Sequence, residues 1–195
     1  MAGYQILALV GSLRAASFNH QLAETAVQVA PDGIQVRIYE ALRRVPFYDE
    51  DLDVPCLADR APARELRAAV AGSDGLLLFT PEYNGGAPAV LRNAIDWISR
   101  PYGTSAIQGK PVAIVSASIS AHAGQWAYQD AVRAVGIAGG HVVEEAGLHF
   151  GRIAQRFAVQ RPWEDAEVRN ELTATVRHLA TASYSLSADL RDRTV

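Results

Sequence analysis

The sequence predicts an α/β fold, a three-layer sandwich in which a five-stranded parallel sheet lies between two layers of helices. Short apolar runs alternate with longer segments that repeat apolar residues at helical spacing, and this alternation implies parallel strands joined by right-handed crossovers. Three of the runs are unbroken, as expected for strands that helices cover on both faces. A length of 195 residues suits the strand order 2-1-3-4-5 better than a six-stranded dinucleotide-binding sheet.

The individual elements follow in order along the chain. Strands are predicted at residues 4–10, 35–39, 75–80, 111–116 and 141–143. Helices are predicted at residues 17–29, 62–71, 88–99, 125–135 and 166–183. Pro88 suits the first turn of the third helix, where its missing N–H would have no partner, and Asp32 with Gly33 separates the first helix from the second strand. We expect one domain over residues 1–183 and a polar tail over residues 184–195.

Composition excludes several classes of protein. A net charge of −3 offers no basic surface for nucleic acid or an anionic membrane. Cys56 is the single cysteine, which excludes an internal disulfide and an all-cysteine metal site. The histidines show no metal-ligand spacing, so no metal is expected. The N-terminus lacks the features of a signal peptide and no apolar run could span a membrane, so we expect a cytoplasmic protein without nucleic-acid or membrane partners.

The loops that follow strands one, three and four stand out chemically. They read GSLRAASFN, TPEYNGGAP and SASISAHAG, and they are richer in hydroxyls, glycine and amides than the other connections. Ligands of such sheets bind beyond the carboxyl ends of the strands, near the point where strand order reverses. These three loops therefore predict the position of a ligand site.

The first of these loops has the chemistry of a phosphate site. Ser17 is a good N-cap for the first helix, whose free N–H groups and dipole attract an anion. Ser12 adds a hydroxyl, Asn19 an amide, and Arg14 a forked cation that suits phosphate. A lysine of the Walker type and a G-x-G-x-x-G pattern are both missing, so a terminal phosphate monoester fits better than a triphosphate or a pyrophosphate. The alternative is a capped helix beside a surface arginine.

The loop after the third strand suits a planar ring. Pro81 disfavours a helical conformation for the residue before it, and Gly85 with Gly86 permits a sharp bend before the next helix. Backbone groups at this strand end could bind a heterocycle, with Tyr83 alongside. An ordinary strand-to-helix turn with a capping role is the alternative.

Together the loops resemble a known family. The segments GSLRAASFN and TPEYNGGAPAVLRNAIDWISRP are similar to the two signatures of the NAD(P)H-dependent FMN reductases, which include bacterial quinone, chromate and azo-dye reductases. The segment LRRVPFYDEDLD resembles the stretch after that family's second strand. The resemblance runs in order over about residues 4–145 and implies a flavodoxin-like fold that holds FMN without covalent attachment.

The resemblance also implies which residues bind the cofactor and what the protein does. Hydride would pass from NAD(P)H through FMN to a quinone, a free flavin, an azo compound or a metal oxyanion, in ping-pong kinetics, and no side chain is expected to be catalytic. The protein would be a homodimer or homotetramer. The implied cofactor-binding residues are Ser12, Arg14, Ser17, Phe18 and Asn19 in the first loop, Pro81, Glu82, Tyr83, Asn84 and Gly85 in the second, and Ser116 and Ser118 at the fourth strand.

Two departures from the family pattern lie beside the expected flavin. Gly85 and Gly86 remove side-chain volume next to the ring-binding loop. Residues 119–126 carry Ile119, His122 and Trp126 where the family has a glycine-rich turn, and these side chains could narrow or re-line the site. Alternatives to a reductase are a flavodoxin-like electron carrier that does not oxidise NAD(P)H and a degenerate binding protein without activity.

A few further residues have simpler interpretations. His122 is expected to be a solvated loop histidine. Cys56 lacks a nearby histidine or a C-x-x-C partner, so an inert thiol is expected. Trp97 and Trp126 are expected in the core or at a subunit contact.

Overall fold

A computed structural model describes residues 3–54 and 61–192. Within this range, the side chains of Leu52 and of residues 183–192 are outside the description. Cys56 also lies outside the described residues, so its expected inertness stays a prediction.

The sheet has the predicted order, β2-β1-β3-β4-β5, and the described pairings are parallel. The strands are β1 at Tyr4–Val10, β2 at Ile34–Ile38, β3 at Gly75–Thr80, β4 at Pro111–Ala117, β5 at His141–Val142 and β6 at Leu148–Phe150. Val10 lies opposite Phe79 and Thr80 lies opposite Ser116. The carboxyl ends of the three central strands therefore meet at one edge of the sheet.

The fifth strand position is shared by two short strands. β5 pairs with Pro111 and Val112 at the start of β4, and β6 pairs with Val115–Ala117 at its end. A 3₁₀ helix at Glu144–Ala146 separates them. The sequence analysis did not predict β6, because three residues with a central His149 give no readable strand pattern.

The helices match the predicted set, with corrections at their ends and one addition. They are α1 at Phe18–Gln28, α2 at Ala61–Ala71, α3 at Ala89–Ile98, α4 at Gln125–Ile137, α5 at Ile153–Arg156 and α6 at Ala166–Asp192. Pro88 is the N-cap of α3, with an extended backbone, and not its first helical residue. The four-residue α5 was not predicted. α6 passes residue 183, so residues 184–192 of the expected polar tail are helical, because no glycine or proline interrupts this stretch.

Two apolar cores hold the helices against the sheet. Alternate residues of β1 divide between them, because successive side chains of a strand point to opposite faces. Ile6 and Ala8 pack with α1 and α6, whereas Leu7 and Leu9 pack with α2, α3 and α4. The predicted three-layer sandwich is confirmed. None of the described helices, α6 included, is both long and apolar enough to cross a bilayer.

Candidate functional site

A cavity of about 450 Å³ lies at the carboxyl edge of the sheet. Side chains from all three loops singled out in the sequence contribute to it, together with the segment after β6. The lining residues are Ser12, Arg14, Ser17, Phe18, Asn19, Pro81, Glu82, Tyr83, Ala117, Ser118, Ile119, Ile153 and Ala154. The structure thus brings together nine of the twelve predicted site residues and leaves Asn84, Gly85 and Ser116 outside the lining.

The first loop presents the N-terminus of α1 to the cavity. Ser17 is the N-cap, and its buried hydroxyl accepts a hydrogen bond from the backbone N–H of His20 at 3.4 Å. Gly11 lets this loop approach the loop after β3, because a Cβ atom there would lie 2.9 Å from Cγ of Pro88. The first N–H groups of a helix lack partners within the helix, so this end of α1 offers donors and a positive dipole to an anion.

Arg14 adds a cation at the same place. Its side chain is exposed, and the guanidinium carbon lies 6.0 Å from the ring centroid of Phe18. Arg14 and Phe18 both line the cavity, and a guanidinium there is suited to bind an anion. That Arg14 binds phosphate together with the N-terminus of α1 stays a prediction.

Asn19 links α1 to the end of β4 and carries an unpaired acceptor. Its Nδ2 donates to the carbonyl oxygen of Ala117 at 3.4 Å, while Oδ1 is buried without a hydrogen-bond partner. A buried acceptor without a partner costs roughly 1–3 kcal/mol, and such atoms are uncommon in folded proteins. An amide with one unused group at the cavity wall fits a site that a polar ligand completes.

The loop after β3 contains a tight two-residue hairpin. The backbones of Tyr83 and Gly86 exchange two hydrogen bonds of 3.1 Å, and the two residues between them, Asn84 and Gly85, have φ angles of 51° and 73°. Positive φ at both central positions defines a type I′ turn, for which Asn-Gly is strongly preferred. The sequence interpretation of Gly85 with Gly86 as the bend was therefore one residue late, although the Asn-Gly dipeptide was a readable signal.

This hairpin changes what the two glycines do. The sequence suggested that Gly85 and Gly86 remove side-chain volume beside the ring-binding loop. The two glycines do not line the cavity, so they do not enlarge it. A Cβ atom on Gly85 would lie 3.7 Å from the Trp126 ring, and one on Gly86 would lie 3.6 Å from Oδ2 of Asp130. The glycines therefore face α4 instead of the cavity.

Glu82 has a structural role in addition to its place in the cavity lining. Its Oε2 accepts hydrogen bonds from the backbone N–H groups of Trp126 at 3.1 Å and Ala127 at 3.4 Å. The N-cap residue of α4 is Gly124, which has no side chain to fill this role. Glu82 thus supplies the missing cap from another element, and its negative charge is favourable at a helix N-terminus.

Ser116 lies behind the cavity wall. It is fully buried, and its hydroxyl donates to the carbonyl oxygen of Ala123 at 2.8 Å. His149 Nδ1 lies 2.8 Å from the same hydroxyl oxygen, so the serine accepts from an Nδ1–H tautomer. Burial lowers the pKa of His149, which favours its neutral form. Ser116 therefore holds the loop from Ser118 to Gly124 in place, and only Ser118 of the predicted pair reaches the cavity.

The segment after β6 forms a wall of the cavity that was not predicted from the sequence. Ile153 and Ala154 of α5 line the cavity, and Arg156 at the end of the same turn forms ion pairs with Asp165 at 2.9 Å and with Glu167 at 2.7 Å. The hydrogen bond from Arg156 holds the pKa of the Asp165 carboxyl below its usual range. The lining position of these residues depends on β6, which the sequence pattern did not show.

The two tryptophans singled out in the sequence differ in burial. Trp97 is a core residue as expected, 1% exposed, and its indole N–H donates to the carbonyl oxygen of Pro46. Trp126 is 52% exposed, and the His122 ring lies 4.7 Å from it in a solvent-exposed loop. No cluster of three or more metal-ligating side chains occurs among the described side chains of residues 3–54 and 61–182.

The fold and the cavity define the class of protein: a flavodoxin-like domain whose ligand site combines a helix N-terminus, hydroxyls and an arginine at the switch point of the sheet. Residues 4–155 match the sequence model of the NADPH-dependent FMN reductases, and the chain belongs to this family. The family is named for FMN and NADPH, the cofactors that the sequence analysis predicted.

Individual relatives agree with this assignment. Over 117 residues the chain is 42% identical to a 2-hydroxy-1,4-benzoquinone reductase from a Burkholderia species, and over 123 residues it is 41% identical to a quinone reductase from Pseudomonas putida. These matches span 60% and 62% of this chain, and 62% and 63% of the relatives. The flavoenzyme FerB of Paracoccus denitrificans, an NAD(P)H:(acceptor) oxidoreductase, superposes with a TM-score of 0.77 at 26% identity, covering 91% of this chain and 98% of FerB.

Proposed function

We propose that this protein is an FMN-dependent oxidoreductase that moves hydride from NAD(P)H through bound FMN to a quinone or a similar acceptor. The observation that carries the proposal is the cavity itself, whose lining joins Arg14 and the N-cap Ser17 of α1 with Pro81, Glu82 and Tyr83 of the loop after β3. A phosphate and a planar ring would share this single space, which is within the usual size range of ligand cavities.

The first loop would hold the phosphate of FMN. The hydroxyls of Ser12 and Ser17 and the guanidinium of Arg14 are donors, and a phosphate monoester accepts several such bonds. Asn19 lies beside these donors, and its unpaired Oδ1 is an acceptor that would receive a hydrogen bond from a hydroxyl of the ligand and not from the phosphate. No second cationic loop lines the cavity among the described residues, which supports FMN over FAD.

The other walls would hold the ring. Pro81, Glu82 and Tyr83 line the cavity at the end of β3, while Ser118 and Ile119 continue the wall from β4. Ile153 and Ala154 add apolar surface on the α5 side. Tyr83 and Ile119 are 55% and 74% exposed, so they border the mouth through which a nicotinamide or an acceptor would enter.

The chain supplies binding and orientation, while FMN supplies the hydride chemistry when bound. The carboxylate of Glu82 is engaged by two backbone N–H groups of α4, which disfavours a role as a general base. His149 donates to the buried Ser116 and is not part of the cavity lining. We therefore assign no catalytic acid, base or nucleophile to this chain.

The acceptor is proposed from the relatives. Two of the most similar are named for quinone reduction, so quinones are the first acceptors to test, followed by free flavins, azo compounds and metal oxyanions. A ping-pong sequence is expected because nicotinamide and acceptor would share one mouth of the cavity.

We also propose a homodimer or homotetramer in the cytoplasm. Phe47 and Tyr102 are 80% and 81% exposed, and large aromatic side chains at the surface are typical of subunit contacts. Light scattering on the eluting protein measures the oligomeric mass, and cell fractionation tests the location.

The cofactor is tested by releasing it with heat and identifying it by mass spectrometry. We expect FMN from the purified wild-type protein, because Arg14 and the N-terminus of α1 would together form one phosphate site in the cavity. Mainly FAD, or no flavin after reconstitution with excess FMN, would contradict the proposal.

A further inference from the structure

A second depression adjoins the hairpin that forms one wall of the cavity. Its volume is about 450 Å³, and we call it the α4 depression. Tyr83 lines the cavity, whereas Gly85 and Gly86 of the same hairpin line the α4 depression. A long ligand could therefore occupy both by passing over the hairpin. The lining residues of the α4 depression are Gly85, Gly86, Trp126, Gln129, Asp130 and Arg133.

Four of these residues form one face of α4. Trp126, Gln129, Asp130 and Arg133 have the spacing i, i+3, i+4 and i+7, which places them on the same side of a helix. The face extends over about two turns, roughly 10 Å, which is the scale of a nucleoside with its phosphate. The indole is at the end near the hairpin and the arginine is at the far end.

Trp126 forms a flat apolar surface at the near end. The residue is 52% exposed. Its ring lies beside the Asn84–Gly85 turn, where a Cβ atom added to Gly85 would be 3.7 Å from Cε3 of Trp126. The His122 ring lies against it at 4.7 Å. An exposed indole is a good stacking surface for a purine base.

The far end carries an excess of positive charge. Oδ1 of Asp130 accepts hydrogen bonds from both Arg92 and Arg133 at 3.2 Å, and Oδ2 accepts from the backbone N–H of Ala87 at 3.1 Å. One carboxylate thus faces two guanidinium groups, each with five N–H donors. The side chain of Arg133 is 73% exposed, so it can bind an anion without breaking the ion pair.

We propose that the α4 depression binds the adenosine end of NADPH, with the adenine on Trp126 and the 2′-phosphate at Arg133 and Arg92. The inference rests on the proposed function, because it places the far end of the co-substrate whose nicotinamide enters the cavity. NADH carries a hydroxyl in place of that phosphate, so the arginine pair selects NADPH. The α4 face carries two charged side chains, Asp130 and Arg133, with Arg92 of α3 paired to Asp130. Such a face is less suited to the core of a subunit contact, where charges are depleted.

The test uses two adenine nucleotides that differ only in the presence of the 2′-phosphate. Calorimetry of the purified holoprotein compares adenosine 2′,5′-bisphosphate with 5′-AMP, and we expect the bisphosphate to bind at least tenfold more tightly. Arg133→Gln should remove most of this preference, whereas Arg177→Gln, on the exposed face of α6, should keep it. Trp126→Ala should weaken the binding of both nucleotides by a similar factor. In steady-state kinetics, Arg133→Gln should raise the ratio of KM for NADPH to KM for NADH about tenfold.

Other results would overturn the inference without touching the proposed function. A preference that survives Arg133→Gln would exclude Arg133 from the phosphate site. A fall in oligomeric mass for Trp126→Ala or Arg133→Gln, with unchanged nucleotide affinity, would show that a second copy covers the α4 face instead. Both probes lack a nicotinamide, so their binding is measured independently of flavin reduction. A wild-type protein that binds no FMN after reconstitution would instead contradict the proposed function.

Discussion

Oε2 of Glu82 accepts a hydrogen bond from the backbone N–H of Trp126 at 3.1 Å. The two residues belong to loops that follow different strands, β3 and β4. Their contact caps α4 and ties the hairpin wall of the cavity to the helix that carries the α4 depression. The wall of the cavity and the helix that lines the depression are therefore joined by this hydrogen bond.

Replacing Glu82 by alanine should destabilise the protein by about 0.5–2 kcal/mol, the usual cost of a lost N-terminal cap. Gly124 offers no side chain as a substitute. Urea unfolding at neutral pH measures the change. Glu65→Ala serves as the control, because Glu65 lies on α2 in an exposed pair with Arg44 and surface pairs of this kind contribute little. Equal effects of the two substitutions would show that the cap is unimportant.

Arg14→Ala should weaken FMN binding by about 1.5–3 kcal/mol, the range for a hydrogen bond to a charged group. Riboflavin lacks the phosphate, so its affinity should be about the same for wild type and variant. Titration of the apoprotein by flavin fluorescence gives both constants, and Arg37→Ala on the exposed face of β2 is the control. An equal loss for riboflavin and FMN would indicate that Arg14 instead maintains the loop.

Gly85→Ala should destabilise the protein by about 1–2 kcal/mol, because the residue has a φ of 73° and the left-handed region is unfavourable for alanine. Gly86→Ala is a matched control one residue away. Its backbone φ is not positive, and the added Cβ would lie at an ordinary contact distance of 3.6 Å from Asp130. Thermal unfolding should therefore separate the two variants, and equal melting temperatures would contradict the turn geometry.

Asp165→Asn should destabilise the protein by about 1.5–3 kcal/mol at pH 7, because the ion pair with Arg156 includes a charged hydrogen bond. The folded-state pKa of Asp165 is lowered, first by this hydrogen bond, so its contribution is full above the unfolded pKa of about 3.9 and is lost as pH falls through the folded value. Urea unfolding from pH 7 to pH 3 should show the variant and wild type converging at the acid end. Asp96→Asn, at an exposed position of α3, is the control, and a gap that is independent of pH would exclude the ion pair as its source.

The sequence predicted the sheet because its signal is local. The apolar run Gly75–Thr80 and the run that begins at Tyr4 are buried strands with the predicted bounds. The first loop could be read in the same way, since the Ser17 cap and the start of α1 are adjacent in the chain. Local pattern was therefore enough for the fold and for the capped helix start in the first loop.

The rest of the site depends on contacts between distant segments. Nothing near Glu82 in the sequence shows that it caps α4, and Ser116 could not be placed behind the wall without knowing that His149 lies beside it. Ile153 and Ala154 reach the cavity only because β6 completes the split fifth strand. The Asn84–Gly85 turn is the exception, since its dipeptide signal was local and was assigned to the wrong pair.

Anaerobic titration of the FMN-loaded protein with NADPH alone distinguishes a reductase from an electron carrier. If the protein is a reductase, the visible absorption band of the flavin should bleach rapidly with one molecule of NADPH per bound FMN, and adding a quinone should restore it. A band that persists with excess NADPH but bleaches with dithionite would contradict the account and would identify the protein as an electron carrier that does not oxidise NADPH.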